Sequence, residues 1–182
     1  MMRLFFTFLT LIFFTSFTGS ADAATSITKT GAKAYYENCK SRPDPNMSAN
    51  TQDHLCACTA AQMMKNMKVE EVQAMSLQNE QGRAATNKMI VEVYAPCMNH
   101  PAKELYLKNC LENPQTSSIA KDVNATCECM SDRVAQYLKE DGPKVFEGIL
   151  SRNPNIADPM AALSEDPAFT AFAQKQVVSC IQ

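Results

Sequence analysis

Cysteine spacing constrains this chain more than any other feature. Its eight cysteines fall into two groups: Cys39, Cys56, Cys58 and Cys97, then Cys110, Cys127, Cys129 and Cys180. Cys39 to Cys56 and Cys110 to Cys127 both span 17 residues, and one shift of 71 carries the first three cysteines of one group onto those of the other. The same shift carries Tyr35 onto Tyr106 and Asn38 onto Asn109, so Tyr-x-x-Asn-Cys occurs twice. The last interval is 12 residues longer in the second group, and a proline-bearing stretch from Asn153 to Pro159 accounts for the excess. Such self-similarity reads as a tandem duplication of one small unit with a loop insertion.

Each unit reads as three helices. Ala32, Tyr35, Tyr36 and Cys39 recur at helical spacing, as do Tyr106, Leu107 and Cys110. A second helix opens near each Cys-x-Cys, with Asp53 expected as N-cap in the first unit and Asn124 or Thr126 in the second. Cys56, Ala60, Met63, Met64 and Met67 form its apolar stripe, matched by Cys127, Val134 and Leu138. A third helix carries Ala85, Met89, Val93 and Cys97, matched by Phe169, Phe172, Ala173, Val177 and Cys180. Short helices are expected over Val69–Leu77 and Lys144–Leu150. The fold class is all-α: a tandem duplication of a small disulfide-clamped three-helix module, with modules over 31–99 and 100–182 after a flexible segment over 24–30.

The cysteines point to four disulfides closed within their own groups, because a duplicated unit has to be stable alone. Residues two apart on a helix face opposite ways, so the two members of each Cys-x-Cys need different partners. Cys56 continues the apolar stripe, which favours Cys56–Cys97 and Cys39–Cys58. The same logic favours Cys127–Cys180 and Cys110–Cys129. A unit of this size buries little core, and each cross-link contributes about 2–4 kcal/mol.

Disulfides require an oxidising compartment, and the N-terminus agrees. Arg3 precedes an apolar block from Leu4 to Phe17, and small residues at Ala21 and Ala23 complete an A-x-A site. That is the order of a cleavable secretory leader, residues 1–23, with cleavage between Ala23 and Ala24. The block is too short and too interrupted by Thr and Ser to span a bilayer. The protein is therefore expected in the periplasm or outside the cell, with no stable membrane insertion after cleavage.

Few residues offer chemistry. Net charge is −2 with no basic stripe, so nucleic acid is not an expected partner. The two histidines, His54 and His100, are too few for a Ser/His/Asp or Cys/His set. His54 lies beside Cys56 and Cys58, but the second unit has Ala125 there, so a surface residue near a helix start is the simpler reading. Four cysteines per unit would suit zinc, but Cys-x-Cys is not the usual zinc spacing, and thiol oxidoreductases favour Cys-x-x-Cys in a βαβ setting. The first unit is methionine-rich, and thioethers bind Cu(I), although core filling explains Met63, Met64 and Met67 equally. Glu70-Glu71 and Glu140-Asp141 read as solvated charges. No cofactor, metal or catalytic residue is expected. The reading is a non-enzymatic binding or interaction protein of chaperone, inhibitor or accessory-subunit type, with another envelope or extracellular protein as partner. A copper carrier using the methionines and a thiol redox protein are the alternatives.

Overall fold

A computed structural model describes residues 25–181. The leader and the Ala23–Ala24 cleavage site lie outside the described residues. The chain is all-α, with helices α1 (Lys29–Lys40), α2 (Ala49–Asn66), α3 (Val69–Ala74), α4 (Glu80–Lys88), α5 (Asn99–Glu112), α6 (Pro114–Ile119), α7 (Val123–Arg152), α8 (Pro159–Glu165) and α9 (Pro167–Cys180). Among the described residues no helix is long and apolar enough to cross a membrane.

Local chemistry sets most helix starts. Thr28, Ser48 and Asp122 cap α1, α2 and α7, each accepting a hydrogen bond from the third residue into its helix. Asp53, Asn124 and Thr126, expected as caps, instead lie inside α2 and α7, because better-placed oxygens stand upstream. Three proline pairs open helices: Asn113-Pro114, Asp158-Pro159 and Asp166-Pro167 each set a capping oxygen before a proline whose missing N–H is not needed there. The stretch read as a loop insertion therefore ends in the start of α8.

Between α4 and α5 the backbone leaves the α register. Pro96 has no N–H for the Glu92 carbonyl four residues back, and its ring crowds that oxygen. The chain widens into a π turn over Met89–Tyr94, in which the Ala95 N–H reaches the Ile90 carbonyl, then tightens to a 3₁₀ turn over Ala95–Cys97. The Asn66 side-chain amide donates to the freed Glu92 carbonyl at 2.7 Å.

The longest helix, α7, runs through Gly142 and Pro143 to Arg152, so the separate helix expected from Lys144 is the second half of one element. Its buried face, Cys127, Met130, Val134, Leu138, Gly142, Phe146 and Ile149, repeats every three or four residues without interruption, which holds the helix across the proline. It packs most extensively on α5 and then on α9. The main core joins Leu55, Ile90, Met98 and Ala102 to Val134, Leu138, Phe146, Leu163 and Phe169, and so draws on residues from both sides of position 100. A smaller cluster holds Met63, Met67, Met89 and Val93.

Of the segment expected to be flexible over 24–30, the described residues make these contacts. The Val69 N–H donates to the Thr25 carbonyl at 2.9 Å, Ser26 bridges Lys68, and α1 begins at Lys29.

Candidate functional site

All eight cysteines are bonded: Cys39–Cys56, Cys58–Cys97, Cys110–Cys127 and Cys129–Cys180. Every bond joins cysteines of one group. Within each group the partners are the reverse of the favoured assignment: Cys39–Cys58, Cys56–Cys97, Cys110–Cys129 and Cys127–Cys180 do not form. The reason lies in what covers the α2 stripe. Helix α1 packs on the line of Gln52 and Cys56, so the fully buried Cys56 faces Cys39. The Gln52 amide, one turn earlier, donates to the Cys39 carbonyl at 3.2 Å. Cys58 is half-buried and faces the 3₁₀ turn that carries Cys97. The two equal 17-residue intervals are thus two equal closed loops, and the unequal intervals close the other two bonds.

The structure brings together the two histidines. His54 on α2 and His100 in the first turn of α5 stack with ring centres 5.1 Å apart and planes 14° from parallel, both exposed. The neighbouring carboxylates are occupied. Asp53 accepts from the Tyr36 hydroxyl at 2.6 Å and pairs with Lys40 at 2.8 Å, and those hydrogen bonds hold its carboxyl below the usual range. Lys103 pairs with Asp132. Burial alone would raise the Glu104 carboxyl, but hydrogen bonds from Thr51 and Ser48 outweigh it and hold it below its ordinary value. Glu104 thereby ties α5 to the N-terminus of α2, where a negative charge is favoured.

A groove of about 240 Å³ opens between α5 and α9. Met130 and Ala173 line it with the half-buried Tyr106 and Val177, and Asn109 and Gln174 stand among its polar residues. Burial, with the Asp166 charge adding, pushes the Tyr106 hydroxyl up to about 12, so it stays a neutral donor. Large apolar side chains close in sequence to lining residues reach solvent: Val178 is 69% exposed, Ile119 53% and Leu111 40%. No family model, curated protein or solved structure matches this chain. The groove is described by its own residues: an apolar floor with amides and hydroxyls at the rim.

Other residues singled out from the sequence take structural positions. Met63, Met67 and Met89 are at most 5% exposed and pack with Val93, which leaves their sulfurs in the core. Glu71 pairs with Lys88 and caps the backbone of Lys68, while Glu70 accepts from the Thr25 N–H. Half-buried Tyr94 meets Tyr35 through their hydroxyls at 3.0 Å, and its partial burial pushes its hydroxyl above the ordinary range. Among the described residues no group of three or more His, Cys, Asp or Glu side chains is placed to share a metal ion. The histidine pair and the groove were both missed in the sequence. Tyr106, Asn109 and Cys110 of the repeated Tyr-x-x-Asn-Cys, with Ala173 and Val177 of the last apolar stripe, line the groove, but nothing in the sequence joined the two sets.

Proposed function

We propose that this chain is an exported, non-enzymatic binding protein of the periplasm or extracellular space, built from two copies of one disulfide-clamped helical unit, and that it seats an apolar segment of a partner protein in the α5–α9 groove. Export is supported by four disulfides, which persist in oxidising compartments, and by the leader-like N-terminus. Duplication is supported by the matching 17-residue loops closed by Cys39–Cys56 and Cys110–Cys127.

The observation that carries the binding reading is the groove itself. It combines apolar lining from Met130, Ala173 and Val177 with a few polar groups from Tyr106, Asn109 and Gln174, the composition typical of a binding concavity. Its walls are cross-linked: Cys110 lines it, and α9 is fixed to α7 through Cys129–Cys180. A rigid receptor loses little conformational freedom on binding.

The test is site-specific photocrosslinking in cells that export the chain. A photoreactive residue replacing Gln174, at the groove rim, should yield one discrete protein adduct. Val177→Asp in the same chain should abolish it. Equal adduct formation with Val177→Asp, or an identical adduct from a photoreactive residue at Lys65 on α2, would refute the groove as the site.

A further inference from the structure

We infer that His54 and His100 form a two-imidazole site for a divalent transition ion of the class that prefers nitrogen ligands: zinc(II), nickel(II) or copper(II). The site is separate from the groove, and neither reading depends on the other.

The first argument is distance. An imidazole nitrogen lies about 1.1 Å from its ring centre and bonds zinc at about 2.0 Å, so two imidazoles sharing one ion at a tetrahedral angle have centres about 5.1 Å apart. The observed spacing is 5.1 Å. The rings now lie nearly parallel, and chelation needs them turned about their Cβ–Cγ bonds. That torsion is soft, the turn leaves each ring centre nearly in place, and both side chains are exposed.

The second argument is that the spacing is held covalently. His54 stands one helical turn before Cys58, on the same face of α2. His100 stands three residues after Cys97, in the first turn of α5. The Cys58–Cys97 bond fixes the two backbones with Cα atoms 5.7 Å apart. These are the chain's only histidines, they come from different helices, and a cross-link lies beside both. Chelating pairs gain affinity in this way, because the ligands need not be brought together on binding.

The neighbouring charges define the ion's remaining shell. Asp53 is engaged by Lys40 and Tyr36, Asp132 by Lys103 and Glu104 by Ser48. The protein therefore offers two imidazoles, and water completes the coordination. Imidazole suits zinc, nickel and copper(II), whereas calcium and magnesium select oxygen donors.

The experiment is calorimetric titration of the full chain with zinc(II) in a non-coordinating buffer, compared with His54→Gln, His100→Gln and the double variant. All are checked by circular dichroism, and both positions are exposed, so folding should survive. The expected result is one ion per chain, binding weakened at least tenfold by either substitution, and a double variant no weaker than the singles. Zinc should also shift the ring-proton resonances of both histidines together. Absent binding in the natural chain, unchanged affinity in the variants, or two ions per chain with each substitution removing one and leaving the other unweakened would each overturn the inference, the last by showing two independent ligands.

Discussion

Two glycines of α7, six residues apart, should respond to alanine with opposite signs. In a helix interior Gly→Ala is worth about 0.5–1 kcal/mol in favour of the folded state from propensity alone. At Gly148 nothing opposes that gain, because an added Cβ would meet only the Arg152 guanidinium, at an ordinary contact distance of 3.8 Å. At Gly142 an added Cβ would lie 2.8 Å from the Ala95 carbonyl oxygen. Ala95 is fully buried, in a 3₁₀ turn that continues into Pro96 and the cross-linked Cys97, so the oxygen has nowhere to go. Overpacking of this kind costs about 1–3 kcal/mol. Residue 142 also precedes Pro143, and a Cβ before a helical proline crowds its ring. Gly142→Ala should therefore lose about 1–2 kcal/mol net while Gly148→Ala gains about 0.5–1. At roughly 2–4 °C per kcal/mol for a chain of this size, the two midpoints should stand about 5–10 °C apart. Thermal unfolding followed by far-ultraviolet circular dichroism, with all disulfides intact, measures this. Shifts of the same sign would refute the close crossing of α7 over the 3₁₀ turn.

Further outcomes follow from other contacts. Asn66→Ala should cost about 1 kcal/mol by removing the donor to the Glu92 carbonyl, and should cost almost nothing in a Pro96→Ala background, where a backbone N–H takes over; urea unfolding of the four proteins gives the coupling. The Glu104 carboxyl is held below its ordinary 4.5, so the stability it contributes is full above that pH and is lost as pH falls through its folded value. Glu104→Gln should lower the melting temperature at neutral pH, and its gap to the natural chain should close under acid. Partial reduction, stepwise alkylation and mass spectrometry should recover Cys39–Cys56 and Cys110–Cys127 as separable links; recovery of Cys39–Cys58 would contradict the packing of α1 on α2. N-terminal sequencing of the exported form should read from Ala24, and a form beginning at Met1 or Met2 would contradict the leader.

Periodicity and spacing made the helical class legible. The stripes of α2 and α7 are visible in Cys56, Ala60 and Met63 and in Cys127, Val134 and Leu138, and each lies on a buried face. The pairing was not legible, because a stripe says which residues are buried and not which neighbour buries them. Cys56 fits a bond to either side of α2 until α1 is known to lie over Gln52. Gly142-Pro143 reads as a break, yet α7 continues, since burial of Leu138 and Phe146 on either side outweighs one missing hydrogen bond. The π turn is implicit in Pro96, but its relief by Asn66, thirty residues earlier, depends on how α2 ends against it. The meeting of His54 and His100 depends on where α2 crosses α5, which no local pattern encodes.

Both candidate sites stand beside a cross-link, and this bears on how a small helical chain can bind anything. Side chains on separate helices lose freedom when a ligand draws them together, and that loss subtracts from affinity. Here the cost is met when the disulfides form. Cys58–Cys97 sets the approach of α2 to the segment opening α5, and with it the spacing of His54 and His100. Cys110–Cys127 and Cys129–Cys180 hold α5 and α9 on successive faces of α7, leaving the groove between them open above Met130. Each Cys-x-Cys is suited to this, because one helix carrying two oppositely directed cysteines fixes two neighbours at once. Reduction should therefore weaken binding at both places before the helices melt: the helical stripes persist without the cross-links, whereas the distances between helices do not.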